Sequence, residues 1–574
     1  MSDKIVIYQI FTRLYGNNCT ARIPNGSIED NGCGKLNHFT PKVLRQIRQM
    51  GVSHVWYTGI IRHATTTDYT RYGLPRQHPA VVKGRAGSPY AIVDYYDVDP
   101  DLAEDVEQRM QEFERLVSRT HRAGLKVVID FVPNHVARQY HSVARPEGVR
   151  DLGEDDNPEV GFDPQKNNFY YCPGQTFTPY FDLYHGEREP YTETPAKATG
   201  NDCFHNAPGR NDWYETVKLN YGVDYYAGHV GHFQPTPDTW TKMLHILLFW
   251  AQKGVDAFRC DMAEMVPAEF WAWATARVRE AYPEVRFIGE VYNPAEYRRY
   301  IASGFDYLYD KVGMYDAMRD VICHRRTSEA ITQAWQQTDD IRDHMLYFLE
   351  NHDEQRLASD FFAGSGEKGV PGLVVSALMQ KGPFMLYFGQ EWGERGMDAE
   401  GFSGRDGRTT IFDYWSLSMP PTRTLPPKLG GDRGLNEGKN EDKGQDACSD
   451  PQPPNLGGLQ EVYSRVLNIA RTEKCVSQGQ MFDVMYANRQ YARQYAFLRK
   501  AGKDVMLVVA NFDDQPLTMQ LCIPDHAYDY LEMQERAYRA EDLLSGEERS
   551  LVLIKGTPVE VSLEARGAVV YKLR

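Results

Sequence analysis

Over the first two-thirds of the chain, short apolar runs alternate with stretches of helical period. Eight runs read as buried strands: Ile5 to Ile10, His54 to Gly59, Leu125 to Val132, Val255 to Asp261, Arg286 to Val291, Asp306 to Asp310, Met345 to Glu350 and Pro383 to Gly389. Between them, segments such as DLAEDVEQRMQEFERLVSRTHRAG and PDTWTKMLHILLFWAQKG have the spacing of helices packed on one face. Gly51, Gly124, Gly254 and Gly382 each stand just before a strand, where a left-handed cap closes the preceding helix. Near-continuous apolar strands alternating with helices imply a parallel sheet. Eight such units predict an α/β chain built on a closed (β/α)8 TIM barrel.

Two segments break this rhythm. Residues 137–234, after the third strand, are rich in Asn, Gly, Pro and aromatics and show no strand–helix alternation. A stretch of that length is too long for a loop and predicts a small inserted domain. Residues 420–458 are Pro/Gly-rich and charged, which predicts a mobile loop. From about Cys475 the period changes to two, in YAFLRK, VMLVVANF, TMQLCI, LVLIKGTPVEVSL and GAVVYKLR, as in an antiparallel β-sandwich. The expected organisation is barrel (1–136), insertion (137–234), barrel (235–474) and sandwich (475–574).

The 574 residues are 42% hydrophobic and 25% charged, which is ordinary for a globular protein, and their length calls for more than one domain. A formal net charge of -15 argues against a nucleic-acid partner and against an anionic membrane surface. The N-terminal MSDKIVIYQIFTRLYG lacks the form of a secretory signal, and no apolar run approaches the ~20 residues of a membrane helix. Nine scattered cysteines without a CxxC pair fit free thiols, so a cytoplasmic location is expected. Oligomeric state is left open.

In a (β/α)8 barrel the chemistry sits at the C-terminal ends of the strands. Here those ends carry Asp130, Asn134 and His135 (DFVPNH), Arg259 and Asp261 (FRCD), Glu290 (GE), and His352 and Asp353 (ENHDEQR). Singly, each has a structural explanation: a cap, an ion pair, a solvated acid, a satisfied histidine. Together they converge on one rim, where unused acids would repel. Side chains alternate along a strand, so Arg259 and Asp261 point the same way and Cys260 the other. A neighbouring guanidinium lowers a carboxyl pKa and keeps it ionised, as a nucleophile requires. Glu290 has no adjacent cation in sequence, so burial beside other acids would raise it toward a general acid. One ionised and one protonated carboxyl across a cleft is the arrangement for glycosidic bond cleavage.

With those blocks joined by YQIFTR (Tyr8 to Arg13), FIGEVY and PFMLYFGQE, the chain resembles the α-amylase family of glycoside hydrolases, family 13, across its whole barrel. The resemblance implies Asp261 as nucleophile, Glu290 as general acid/base and Asp353 as a third acid favouring the distorted transition state. It places Arg259, His135 and His352 around the sugar at the cleavage point, beside Asp130, and Tyr90 where a tyrosine stacks under that sugar. Glu264 and Met265 replace the Lys and His found there in many secreted α-amylases. With VKLN (Val217 to Asn220), this is nearer the neopullulanase and cyclomaltodextrinase branch. Glu264 either lines an acceptor subsite or is a helix-start acid favoured by the dipole. Losing the histidine weakens the family's calcium site, leaving Asn134 as an oxygen donor of the right type for Ca2+. No other cofactor is implied. Trp213, in the aromatic-rich DWYETVKLNYGVDYY, is the best-placed ring for stacking glucose; most rings there would form a small core.

The expected function is therefore a retaining hydrolase of α-1,4-linked glucans such as maltodextrins. A 4-α-glucanotransferase using the same covalent intermediate is the nearest alternative. A catalytically inactive amylase-like binding protein is the third, but that class has lost the acids kept here.

Overall fold

The computed structural model describes residues 4–183, 189–396, 404–417 and 457–574; the loop expected over 420–458 lies, up to residue 456, outside them. All eight predicted strands form, the first shifted by one residue and the others trimmed by one to three: β1 (Val6–Phe11), β2 (His54–Thr58), β3 (Lys126–Phe131), β4 (Ala257–Cys260), β5 (Arg286–Gly289), β6 (Tyr307–Tyr309), β7 (Met345–Phe348) and β8 (Phe384–Tyr387). They close into a parallel barrel in sequence order, with β8 returning to β1. Their residues are almost all buried, because helices cover the outside and side chains fill the inside. That is why they read as continuous apolar runs.

Gly51, Gly124 and Gly254 have φ of 105°, 73° and 90°, the left-handed caps expected of them. Gly382 is different. It is not among the positive-φ glycines, and a Cβ there would stand 2.4 Å from the Met345 carbonyl oxygen. Close approach of two chains, and not a helix cap, requires glycine at that position. The helix expected from Asp101 begins only at Arg109. The preceding residues form 3-10 turns capped by the side chains of Asp99 and Asp105, which compete with helical hydrogen bonding.

Among the described residues of 137–234 the regular structure is confined to short ribbons. One matters for the site: His135–Ala137 pairs antiparallel with Thr216–Lys218, opposing His135 to Lys218. Beyond the barrel, six antiparallel strands run in the order β9 (Gln480–Asp483), β10 (Gln494–Ala501), β11 (Asp504–Asn511), β16 (Ala568–Leu573), β13 (Arg536–Asp542) and β14 (Glu548–Leu553). A second pair, β12 (Leu517–Leu521) and β15 (Val559–Leu563), completes this C-terminal unit. LVLIKGTPVEVSL, read as one strand, is two, β14 and β15. The break follows Leu553, and Gly556 in it takes φ 72°.

Arg499 on β10 joins this unit to the barrel. Its buried guanidinium donates to the carbonyls of Cys475, Val476 and Gly479 and, across the junction, of Met379 at the end of a barrel helix. Four carbonyls thus depend on one side chain. Arg499→Met should lower stability by about 2–4 kcal/mol, the range for stranding buried acceptors of a charged donor. A thermal unfolding scan showing an unchanged midpoint would rule out this anchoring role.

Candidate active site

The site begins with strand register. β4 lies between β3 and β5, with Arg259 directly beside Asp130 on one side and Ile288 on the other. The ladder continues one step past the strands: the Asp261 N–H donates to Phe131 O at 2.9 Å and the Glu290 N–H to Cys260 O at 3.1 Å. Asp130, Arg259, Asp261 and Glu290 are therefore brought side by side at the C-terminal rim.

Arg259 is 0% exposed. Its Nη1 donates to Asp261 Oδ1 at 2.9 Å and lies 3.4 Å from Asp130 Oδ1, while Nη2 lies 2.7 Å from Glu290 Oε2. The rings of Trp56, Tyr90 and Tyr309 surround the guanidinium, with centroids 5.2, 5.3 and 5.6 Å from its carbon. Sequence assigned this arginine to Asp261 alone and left Glu290 without a cation. The structure corrects both points, because adjacent strands bring Glu290 to the second arm of the same guanidinium.

Sharing the cation changes the electrostatics. Burial pushes the Asp261 carboxyl well above the usual range; Arg259 opposes this, and Glu290, Asp130 and Asp353 add to it. The expected lowering of Asp261 is thus overturned, since one guanidinium divided among three acids does not offset their desolvation and mutual repulsion. Burial first, then Glu290, pushes Asp353 up to about 7. Burial, opposed by Arg259, pushes Asp130 up to about 6. His135 is pushed down to about 3 by burial and then by Lys218 and Lys83, and His352 falls well below its usual value by burial and then Arg259. Both histidines are neutral at pH 7.

Above this layer opens a cleft of about 860 Å³, lined among others by Tyr90, His135, Trp213, Asp261, Glu290 and Asp353. Arg259, Asp130 and His352 lie beneath that lining. Tyr90 lines the cleft and hydrogen-bonds His352 through its hydroxyl. His352 is fixed further by Gln9 Nε2 at 2.8 Å and stands 3.2 Å from Asp353 Oδ2. Trp56 Nε1 donates to Asp130 Oδ2 at 3.0 Å. Trp213 packs against the His135 ring, with centroids 5.2 Å apart. Glu264 stands apart from the cleft lining: its carboxylate accepts the Asn293 N–H at 3.0 Å and closes the turn after β5.

Sequence reasoning passed over several groups. The Tyr292 hydroxyl donates to Glu290 Oε1 at 2.6 Å, and the Met262 N–H donates to Glu290 Oε2 at 2.9 Å. Tyr292 lies two residues beyond Glu290, so strand alternation would have found it. Met262 has φ 43°, a left-handed conformation that aims its N–H at the acid and its side chain at the cleft. Lys83, Arg210 and Phe412 line the cleft from distant loops and carry no sequence signal, whereas Lys311 and Val312 begin the helical turn directly after β6.

The Asn134 site does not fit calcium as the residues stand. Its Oδ1 accepts a hydrogen bond from Lys218 Nζ at 2.7 Å, and its Nδ2 donates to Gly200 O at 2.8 Å. Among the described residues, no group of three or more His, Cys, Asp or Glu is placed to hold a metal ion. Among the same residues, no helix is long and apolar enough to cross a membrane.

Comparison with known proteins agrees with this geometry. The sequence matches the α-amylase catalytic domain over residues 9–424. It is 24% identical over 356 residues to α-amylase 3 of Dictyoglomus thermophilum, covering 59% of this chain and 60% of that one. It is 21% identical over 420 residues to neopullulanase 2 of Thermoactinomyces vulgaris, covering 69% and 57%. The matched region thus spans three fifths or less of the length of these curated relatives. Among solved structures, a noncanonic maltogenic α-amylase of Thermotoga neapolitana superposes with a TM-score of 0.61 at 19% identity, over 99% of this chain and 98% of that one, and so shares the fold. With the family match running from the first barrel strand past the eighth, the chain belongs to the α-amylase catalytic-domain family.

Proposed function

We propose that this protein is a retaining glycoside hydrolase that cleaves α-1,4-glucosidic bonds in maltodextrins or related α-glucans. The observation that carries the reading is the single Arg259 guanidinium holding Asp261 and Glu290 on its two arms at the floor of an open cleft. Two carboxyls tied to one planar group fit the ~5–5.5 Å separation of retaining enzymes better than the ~6.5–9.5 Å that leaves room for a water between them.

The steps follow from these positions. Positive charge developing at the anomeric carbon favours the ionised form of Asp261, and the proton donor's role falls to Glu290. Glu290 gives that proton to the glycosidic oxygen as the bond breaks, and an Asp261 oxygen bonds to the anomeric carbon. The Glu290 carboxylate then takes a proton from water, whose oxygen displaces Asp261 from the same carbon. Tyr292 and the Met262 N–H hold Glu290 through both changes of charge. Asp353, 30% exposed and backed by His352, is placed to hydrogen-bond the sugar hydroxyls beside the breaking bond. Tyr90 and Trp213 supply faces for sugar rings.

A sugar hydroxyl in place of water would make the same intermediate a transferase reaction. The half-exposed Val312 (44%), facing the cleft with Met262 and Phe412, gives a partly apolar wall of the kind that seats an acceptor sugar. Products from maltoheptaose distinguish the two. Hydrolysis raises reducing ends and releases short maltooligosaccharides first as the α-anomer. Chains redistributed at constant reducing ends mean a glucanotransferase. A protein that does neither, on this or other α-glucosides, is not the enzyme proposed.

Asp261→Asn should reduce kcat by ~10³-fold or more with the fold intact; substantial residual turnover would remove Asp261 from the nucleophile's role. Glu290→Gln should lose most activity on maltoheptaose yet still form the glycosyl-enzyme from a maltosyl fluoride, whose leaving group needs no protonation. Equal loss on both substrates would count against Glu290 as the acid. The pH profile follows from the upward shifts. Asp261 must be ionised to attack, and Asp353 and Asp130 are pushed up to about 7 and about 6. The acid limb of kcat/KM should therefore fall between about pH 5 and 7, above the ordinary carboxylate value near 4. A limb near 4 would show that Arg259 dominates after all.

A further inference from the structure

The Asn134–Lys218 contact sets a buried ammonium against the oxygen donor that the sequence offered for calcium. Lys218 lies on the ribbon strand opposite His135, and its side chain is 2% exposed. The ammonium is 2.7 Å from Asn134 Oδ1 and 2.6 Å from Asp202 Oδ1, with the Tyr225 ring centroid 5.2 Å away. Asn134 follows β3 of the barrel, whereas Asp202 and Lys218 belong to the segment between β3 and β4. A single buried positive charge therefore sits where both of those elements point an oxygen.

A lysine ammonium only donates, so the Asn134 carbonyl oxygen must face it. The Asn134 amide nitrogen then faces Gly200 O, at 2.8 Å, and His135 Nδ1, at 3.2 Å. Because that nitrogen is a donor, His135 Nδ1 accepts, and in a neutral imidazole the proton is left on Nε2. His135 lines the cleft. The buried lysine thus settles, through one amide, which form of the histidine the cleft receives.

We propose that Lys218 is the resident cation at this place: its ammonium occupies the position from which a divalent ion would bind Asn134 and Asp202, ties the β3–β4 segment to the barrel, and orients Asn134 so that His135 carries its proton on Nε2. Lys218 is a positioning residue, acting through Asn134. The local fold then requires no metal at this place.

The test uses the full-length protein and three readouts that need no substrate: thermal unfolding, calcium binding by isothermal titration, and the tautomer of His135 in histidine-15N-labelled protein. The wild type should unfold at the same midpoint in excess EDTA and in millimolar CaCl2, with His135 in the Nε2–H form. Lys218→Met, which keeps the length and removes the charge, should unfold several degrees lower, ignore calcium, and show His135 in mixed tautomers. Lys218→Asp shortens the side chain and adds an oxygen ligand, so its midpoint should be low in EDTA and recover with CaCl2. Calcium binding by the wild type that Asn134→Ala abolishes would overturn the proposal. So would a Lys218→Met protein with the wild-type midpoint and the wild-type tautomer. Should Lys218→Asp not fold, the wild type and Lys218→Met still decide. A failure here leaves the hydrolase reading untouched, since none of these measurements involves turnover.

Discussion

One guanidinium has to serve three carboxylates. Arg259 is wholly out of water, and a buried cation with its partners removed costs roughly 3–5 kcal/mol, so the surrounding strands must deliver acids to it. β3 supplies Asp130, β4 supplies Asp261 two residues on, and β5 supplies Glu290. The dependence runs both ways. Asp261 and Glu290, stacked at adjacent strand ends, could not remain close without a positive charge between them. The cage of Trp56, Tyr90 and Tyr309 keeps water off the guanidinium, strengthening each contact while raising the cost of leaving any acid unpaired.

Because the charge is divided, Asp261 and Asp130 are held less ionised than either would be with an arginine to itself. That suits a reaction in which one carboxyl gives and takes a proton while its neighbour bonds to carbon. A carboxyl with an arginine of its own would hold its charge too firmly to act as a proton donor. The outer layer limits where that proton can go. Gln9 and Tyr90 fix His352, which keeps a neutral ring against Asp353, while Tyr292 and the Met262 N–H occupy both Glu290 oxygens. Geometry is assigned to backbone and neutral groups, and charge is concentrated on Arg259.

What the sequence disclosed follows from what is local. Barrel strands are covered on both faces, so eight apolar runs were visible, and acids at the ends of such runs stand out because nothing else there is charged. Strand alternation was enough to pair Arg259 with Asp261 and would have been enough for Tyr292. Contacts set by the register between strands were invisible: Arg259 to Glu290, Arg259 to Asp130, and Gln9 to His352. So was the direction of the Asp261 shift, which depends on how many acids share the cation. Gly382 was misread for a related reason: its neighbour is the carbonyl of Met345, brought close only by the closed barrel. The walls contributed by Lys83, Arg210 and Phe412 come from loops whose positions are fixed by the whole fold.

Lys218 and Arg259 solve the same problem at different points of one rim. In each case a buried cation bridges two elements far apart in sequence, and each is carried on a strand next to the groups it joins. A bound metal would place its charge after folding and could be lost. A side chain on a strand places its charge as the strand pairs. For Arg259 this means that the acids find their counter-ion when β3, β4 and β5 register. For Lys218 it means that Asn134 is oriented as the ribbon closes on His135. The cleft is thus electrostatically complete once the backbone is in place, and a substrate meets a floor whose charges and donors are already aimed.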